Sequence, residues 1–175
     1  FDQNRDIESK EKMTEIAYAP IGIIHSPFTE LSGMPIQPTS ANSAVGYIDI
    51  YPEFVEGLKD LEGFSHIYLI YHLHQASSAK LTVIPFLDTE PHGVFATRAP
   101  SRPNPIGLSL VKLISVEDAR IQIEQIDVLD GTPLLDLKPF IPMFENGENI
   151  RTGWTTKASK SVRDTRADQR FLKKP

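Results

Sequence analysis

Two arginines in the proline-rich segment Arg98–Gly107 are the residues best suited to hold a charged ligand. Three prolines in this segment each fix a φ angle and keep the preceding residue extended. A chain stiffened in this way loses little conformational entropy when it orders. Because a guanidinium group can bind a carboxylate or a phosphate with two parallel hydrogen bonds, Arg98 and Arg102 predict an anion-binding loop. The alternative is a rigid connection whose arginines cap carbonyl groups or pair with acidic neighbours.

A second candidate is the segment Asp130–Pro133, with the sequence Asp-Gly-Thr-Pro, which we expect to end one strand and start a turn. These residue types are common in turns for structural reasons alone. Such a turn also exposes backbone amide and carbonyl groups, which can hydrogen-bond to the edge of an adenine ring. Both interpretations stay open on these residues.

His72 and His74 lie two residues apart in a predicted strand, which places their side chains on one face. This spacing allows a shared metal ion, but a metal site needs a third and usually a fourth ligand. The remaining histidines could contribute only if the fold brings them together; they are His25, His66 and His92. We favour hydrogen bonding of His74 and Gln75 to a ligand, and keep a structural histidine and a metal site as alternatives.

The sequence lacks the motifs of the common nucleotide-binding and hydrolytic folds. It has no G-x-G-x-x-G after a strand, no Walker loop, no G-x-S-x-G and no H-E-x-x-H. Ser101 and Ser109 lack the context of a catalytic nucleophile. The carboxylates Asp127, Asp130 and Asp136 are too scattered in sequence to predict a catalytic pair. A nucleotide-like ligand would therefore need an unusual scaffold.

Many short strands separated by Gly and Pro, with little helix between them, make up the predicted elements. This pattern favours a mainly β barrel or sandwich over a doubly wound sheet. An apolar face predicts one internal helix at 52–61, and composition predicts another at 156–172. The predicted strands are 16–24, 44–50, 64–74, 81–86, 94–97, 108–116, 120–128 and 134–139.

Length and charge suggest one folded domain with two appendages. The 175 residues are 40% hydrophobic, which suffices for a core. We expect a flexible N-terminal arm at 1–15, a β-barrel domain at 16–150 and a basic C-terminal extension at 151–175. The extension carries a local charge of +6, whereas residues 1–150 carry −11. It predicts contact with a polyanion, the alternative being a solvated terminal helix.

The sequence has no cysteine and no apolar run of membrane-spanning length. Without cysteine there is neither a disulfide nor a thiolate zinc site. The longest apolar run, at 67–73, is interrupted by His72 and falls far short of the roughly 18–20 residues of a membrane span. We therefore expect a cytoplasmic protein that makes no membrane contact.

Taken together, several of these segments closely resemble the TrmO/YaeB family, also called TsaA-like. The matching segments are Gly93–Arg98, Arg102–Ser109, Asp130–Pro133 and Asp136–Pro139. Upstream segments that are similar to the family as well are Ile21–Phe28, Leu61–His66 and His74-Gln75. The resemblance covers about residues 19–142, and the string Arg-Pro-Asn-Pro-Ile-Gly is highly specific.

The resemblance implies a small closed β-barrel methyltransferase with one or two helices, which forms a homodimer and binds S-adenosyl-L-methionine. Characterised members methylate N6 of N6-threonylcarbamoyladenosine at position 37 of tRNA, so tRNA is the implied partner; no metal is implied. Family members often have Arg where this chain has Ile36, whose backbone could serve instead. The implied cofactor-binding residues are Pro35, Ile36, Gln37, His74, Gln75, Arg98, Leu108, Asp130, Gly131, Thr132 and Pro133.

In such a pocket, Arg98 is the expected partner of the cofactor carboxylate, while Asp130 and Thr132 would recognise adenine or ribose hydroxyls. Loss of the N6 proton would help a weak nucleophile, and His74 and Asp130 are the candidate acceptors. Bacterial members carry a further C-terminal domain, in place of which this sequence has the basic stretch Arg151–Lys174, so the mode of RNA docking stays open. A non-catalytic module that binds the cofactor or RNA is the alternative function, and a metal-dependent hydrolase is the second alternative.

Overall fold

A closed barrel of six antiparallel strands forms the body of the chain in a computed structural model that describes residues 15–37, 44–145, 150–157 and 164–171. Its strands are β1 (Gly22–His25), β2 (Val45–Ile50), β3 (His66–His72), β6 (Ile106–Glu117), β7 (Arg120–Glu124) and β8 (Thr132–Pro139). A separate two-stranded sheet pairs β4 (Thr82–Val83) with β5 (His92–Gly93). The predicted mainly β barrel is confirmed.

The order of strands around the barrel is β1-β2-β7-β6-β3-β8, and β8 closes it by pairing with β1. Every neighbouring pair is antiparallel. Antiparallel pairing brings the ends of β1, β3 and β7 and the starts of β6 and β8 to one end of the barrel. Loops and side chains at that end therefore converge on one region.

Alternation of buried and exposed residues along the strands fills the barrel interior. In β7, Ile121 and Ile123 are fully buried, while their neighbours face outward. The inward side of β3 consists of Ile67, Leu69 and Tyr71. This period of two is expected where side chains on a strand point alternately to the core and to the outside.

One close approach inside the barrel requires a glycine. Gly107 on β6 pairs with Tyr71 on β3, and a Cβ atom added to Gly107 would collide with the Tyr71 ring. The absent side chain leaves the space that the aromatic ring occupies.

The helices are short. In the part of the chain that the structure describes, one α-helix spans Pro142–Glu145, and 3-10 helices span Pro52–Leu58, Leu61–Gly63, Val94–Ala96, Gly153–Lys157 and Gln169–Phe171. No helix among the described residues has the length and apolar character needed to cross a bilayer.

The helix predicted at 52–61 is present but is not continuous. Two 3-10 helices form it, separated where Lys59 is extended and Asp60 has a left-handed φ of 66°. Gly57 in the middle of this stretch weakens a continuous helix. Leu58 is nevertheless buried, so the apolar face still packs on the barrel.

Four predicted strands differ clearly from the structure, among them 81–86, of which only Thr82–Val83 is a strand, and 120–128, which ends at Glu124. The strand predicted at 16–24 begins only at Gly22, because Ile16 and Tyr18 have no neighbouring strand and are 72% and 70% exposed. The strand predicted at 94–97 is a 3-10 turn. Side chains rather than a strand take its carbonyl groups: Arg102 donates to Val94 O, and Trp154 donates to Ala96 O.

The helix predicted at 156–172 is not continuous over its described part, where residues 156–157 and 169–171 lie in short 3-10 helices. Residues 164–168 form no helix, and Arg166 makes an antiparallel bridge to Pro35. Hydrogen bonds of 2.8 and 2.9 Å join Ala167 O to Gly33 N and Ala167 N to Met34 O. These contacts favour an extended chain, and the buried Phe171 then anchors it against Val83, Val94, Ala99 and Phe86.

Two other expectations fall largely outside the described residues. The flexible arm predicted at 1–15 lies almost entirely in residues 1–14, and Val162 and Leu172 of the predicted tail helix also lie outside.

Candidate functional site

A cavity of about 750 Å³ lies at the end of the barrel where the strand ends converge. Its walls come from the loop after β1, the end of β3, the segment 94–102, the start of β6 and the segment 127–132. A further wall comes from the tail, by which we mean the described residues 151–157 and 164–171 of the C-terminal extension. A concave, mostly apolar cavity of this size suits a small-molecule ligand. The predicted cofactor residues that line it are Pro35, Ile36, Gln37, His74, Gln75, Arg98, Leu108 and Thr132.

Arg98 and Gln37 form one wall. The Arg98 guanidinium donates from Nη1 to Gln37 Oε1 at 2.9 Å, and Arg98 remains exposed. An exposed guanidinium held by a neutral amide keeps donors for an anionic group that enters the cavity.

Arg102, four residues further on, has a different role from Arg98. Its Nη1 donates to the carbonyl groups of Val94, Thr97 and Ala99 at 3.2, 2.9 and 3.3 Å. These hydrogen bonds hold the loop in shape, as the alternative interpretation of the proline-rich segment expected for both arginines. Only Arg98 is therefore positioned to present its charge to a ligand.

His74 lies in the turn after β3 rather than on the strand, so His72 and His74 do not share a strand face. Its Nδ1 is 3.4 Å from Thr132 Oγ1, and that hydroxyl donates to Leu129 O at 2.7 Å. Within the described residues, no three His, Asp or Glu side chains are grouped to hold a metal ion. Of these two histidines, His74 lines the cavity and His72 does not.

Asp130, Gly131 and Pro133 are not among the residues that line the cavity. The Asp130 carboxylate instead accepts a hydrogen bond from Ser26 N at 3.1 Å and lies 3.4 Å from His25 Nδ1. Gly131 has a φ of 75°, which favours glycine, and its N–H donates to Ile24 O at 2.9 Å. The turn therefore fastens the start of β8 to β1 and places Thr132 at the cavity.

Three polar side chains that sequence reasoning left without a role form a hydrogen-bonded chain beside the cavity. Ser109 Oγ donates to Asp127 Oδ1 at 2.6 Å, and Tyr71 Oη lies 3.0 Å from Ser109 Oγ. Ser109 and Tyr71 are buried, and Tyr71 and Asp127 line the cavity. Ser109 stands at an inward position of β6 between Gly107 and Val111, and this polar residue in an apolar row was the available signal.

The surroundings of Asp127 oppose its ionisation. Burial is the largest influence and raises the pKa of this carboxyl to about 6, while the Ser109 hydrogen bond and the Arg98 charge act in the opposite direction. Burial also raises the pKa of Tyr71, and the nearby Asp127 charge adds to that effect. A carboxyl beside a cavity with a pKa moved toward neutrality is typical of a functional site.

The tail supplies a further wall. Trp154 lines the cavity, donates from Nε1 to Ala96 O at 2.8 Å and stacks on His92 with ring centroids 4.6 Å apart. Asp168 and Phe171 line the cavity from residues 164–171. The described parts of the basic extension are thus built into the site.

Comparison with known proteins identifies the family. The model of the tRNA-methyltransferase O N-terminal domain matches residues 23–146. A probable S-adenosyl-L-methionine-binding protein of Pyrococcus abyssi is 53% identical over 157 residues, which cover 90% of this chain and 85% of that protein. The Escherichia coli tRNA (adenine(37)-N6)-methyltransferase is 35% identical over 144 residues, 77% of this chain.

Comparison with solved structures supports the same family. The crystal structure of TrmO from Pseudomonas aeruginosa superposes with a TM-score of 0.68 at 40% identity and covers 81% of this chain. The chain spans 63% of that structure and 61% of the E. coli relative. Since the matching family model covers more than half of the sequence, this chain belongs to the tRNA-methyltransferase O (TrmO) family.

Proposed function

We propose that this chain transfers a methyl group from S-adenosyl-L-methionine to N6 of adenosine 37 in tRNA. The observation that carries the proposal is the cavity at the barrel end, where Arg98, His74 and Thr132 converge on an otherwise largely apolar space. Relatives named as S-adenosyl-L-methionine-binding proteins and as tRNA (adenine(37)-N6)-methyltransferases support it.

The chemistry of the cavity residues fits this cofactor. Arg98 would hold the carboxylate of its amino-acid end, because its guanidinium is exposed and its present partner, Gln37, is uncharged. Apolar side chains from Ile36 and Leu108 would cover the adenine ring, and Thr132 would meet its polar groups. When bound, the cofactor supplies a methyl group on a sulfonium, which is already activated for transfer.

The protein's own task is then mainly one of position. Methyl transfer needs the nucleophile in line with the bond that breaks, at near contact distance. The rigid segment around Arg98 and the carbonyl clamp of Arg102 fix one wall of the cavity. The anchored tail fixes another, since Phe171 is buried and Trp154 is hydrogen-bonded to Ala96 O.

As the finer substrate we propose N6-threonylcarbamoyladenosine, which the resemblance to the family implies. A carbamoyl group withdraws electrons from N6, so this nitrogen is a weak nucleophile until it loses its proton. We therefore look for a proton acceptor in the cavity wall.

A homodimer is proposed as well. Family resemblance implies it, and the apolar side chains Met143, Phe144 and Ile150 are 75%, 74% and 74% exposed, as at a face that a second copy covers. Sedimentation equilibrium should give twice the mass of one chain, and a monomer at micromolar concentration would refute this part. Because tRNA is the proposed substrate, we place the protein in the cytoplasm.

We retain the predicted layout as part of the proposal: a flexible arm at 1–15, a methyltransferase domain at 16–150 and a basic extension at 151–175. The described tail segments that line the cavity indicate that the extension belongs to the site as well as to the surface.

The test is incubation of the purified protein with radiolabelled S-adenosyl-L-methionine and tRNA, with and without the threonylcarbamoyl modification. Label should enter only the modified tRNA. Cofactor binding without label transfer would favour the non-catalytic module instead. Bound zinc or iron at one equivalent, detected by elemental analysis, would favour the hydrolase.

A further inference from the structure

We infer that Asp127 is the catalytic residue that accepts the N6 proton of the adenosine, and that Ser109 and Tyr71 are positioning residues that orient its carboxylate. The inference rests on the proposed function and adds the residue that moves the proton. It replaces His74 and Asp130, the two acceptors that the sequence suggested.

The position of Asp127 carries the first part of the argument. Asp127 lines the cavity in the segment after β7, on the same cavity as Arg98, Leu108 and Thr132. Asp130, only three residues on, does not line it and is engaged with Ser26 N and His25. Of the described carboxylates at the cavity, Asp127 and Asp168, the second is bound by the Arg170 guanidinium at 2.7 Å.

The direction of the hydrogen bonds carries the second part. Ser109 Oγ has a single hydrogen, which it donates to Asp127 Oδ1. The 3.0 Å contact between the hydroxyl groups of Tyr71 and Ser109 must therefore be donated by Tyr71. Tyr71 thus donates to Ser109, and Ser109 donates to the carboxylate. These two successive hydrogen bonds stabilise the ionised form of Asp127 and fix the orientation of its carboxylate.

The fold provides the space for the hydrogen-bonded side chains of Tyr71 and Ser109. Tyr71 sits inside the barrel only because Gly107 opposite it has no side chain. Ser109 follows two positions later on the same inward row of β6. Two buried hydroxyl groups are costly unless they are hydrogen-bonded. Here Tyr71 donates to Ser109, and Ser109 donates to Asp127, which lines the cavity.

The proton step balances without any further reactant. The N6–H bond breaks and its proton goes to the Asp127 carboxylate, while the nitrogen electron pair forms the N6–methyl bond. The carbon–sulfur bond breaks at the same time, and its electron pair stays on sulfur as a neutral thioether. The protonated Asp127 then returns its proton to water.

The electrostatics around Asp127 suit this task. Its burial-raised pKa of about 6 leaves the carboxylate ionised at neutral pH and more basic than an exposed one. The titratable or charged side chains that share the cavity are Tyr71, His74, Arg98, Arg102 and Asp168. Of these, Arg98 lowers the pKa of Asp127 through its charge, and the carboxylate in turn raises that of Tyr71.

The experiment compares Asp127→Asn with wild type in single-turnover methylation of modified tRNA at saturating cofactor and tRNA. General-base catalysis is worth roughly a hundred- to ten-thousandfold, so the rate at pH 7.5 should fall by at least about a hundredfold. Calorimetric affinity for S-adenosyl-L-methionine should change by less than about threefold. Asp136→Asn is the matched control, because this exposed carboxylate pairs with Lys138 outside the cavity, and its rate should equal wild type.

The pH profile separates an acceptor from a structural residue. The wild-type rate should rise with pH and level off above an apparent pKa of about 6, and Asp127→Asn should lack this rise. Ser109→Ala should move the midpoint to higher pH, because it removes the hydrogen bond that lowers the pKa of Asp127. Carbon-13 resonances of the aspartate carboxyl groups should show one that titrates near 6 and disappears in Asp127→Asn.

Three results would overturn the inference. They are an Asp127→Asn rate within about threefold of wild type, a pH rise that survives in that variant, and no carboxyl titrating above 5. His74→Gln serves as the comparison in the second case, since loss of the rise there would assign it to the histidine. A wild-type protein that binds cofactor but labels no tRNA refutes the proposed function itself, and the inference with it.

Discussion

Replacing Asp127 by asparagine should stabilise the fold at neutral pH, although it removes the proposed proton acceptor. Burial raises the pKa of this carboxyl to about 6 in the folded chain, against its ordinary value of 3.8. Each pKa unit corresponds to about 1.36 kcal/mol, so ionised Asp127 costs the folded state about 3 kcal/mol at pH 7.5. Asparagine avoids this cost and keeps an oxygen that accepts the Ser109 hydrogen bond.

The sign of the effect follows from the direction of the pKa shift. Because the folded-state pKa is raised, wild type is stabilised by protonation below pH 4 and loses this stability as pH rises toward 6. The loss is complete at about pH 7, where the carboxyl of the folded chain is almost fully ionised. The advantage of Asp127→Asn should therefore grow from near zero at pH 4 to about 3 kcal/mol at pH 7.5.

Urea unfolding at several pH values measures this difference directly, with fluorescence of the single tryptophan, Trp154, and circular dichroism as probes. Asp136→Asn provides the baseline, because Asp136 is exposed and paired with Lys138. A pH-independent difference between Asp127→Asn and wild type would falsify the assigned environment. So would a variant that is less stable than wild type at pH 7.5.

Three further changes test other parts of the site. Arg98→Ala should weaken S-adenosyl-L-methionine binding by roughly ten- to hundredfold in calorimetry, as for loss of a charged hydrogen bond of about 1.5–3 kcal/mol; Arg120→Ala, outside the cavity, should not. Gly107→Ala should lower the free energy of unfolding by about 1–3 kcal/mol in urea, because its methyl group collides with a buried tyrosine ring. Phe171→Ala should release the tail, so the Ala167 amide should exchange with solvent roughly a hundredfold faster, for a loss of about 3 kcal/mol.

The barrel strands could be predicted because their alternation is local. The fully buried Ile121 and Ile123, with exposed neighbours, mark a half-buried strand without any knowledge of its partners. Segments whose shape depends on distant side chains could not be predicted. The turn at Val94–Ala96 is closed by Arg102 and Trp154, and nothing within three residues of it signals those partners.

The candidate site likewise contains residues that could be predicted from the sequence and residues that could not. The rigidity around Arg98 could be read from its prolines, and the cofactor residues came from resemblance to the family. Asp127 was set aside because it and the carboxylates Asp130 and Asp136 are too scattered in sequence to predict a catalytic pair, and its partners Ser109 and Tyr71 are distant in sequence. The pairing of β3 with β6 places those two side chains together, and only that register brings them to the carboxylate.

The tail shows the limit of composition as a guide. Its many basic residues suggested a solvated terminal helix or contact with a polyanion. Phe171 and the Ala167 hydrogen bonds decide the conformation of its described part, and both depend on partners more than 70 residues away.

Methyl transfer to tRNA is the claim on which the account depends. The most direct measurement is mass spectrometry of nucleosides from threonylcarbamoylated tRNA, incubated with the protein and S-adenosyl-L-methionine that carries a deuterated methyl group. We expect the deuterated methyl group on N6 of the threonylcarbamoyladenosine, and none on the same tRNA without that modification. Binding of the cofactor with no deuterated nucleoside in either tRNA would contradict the account.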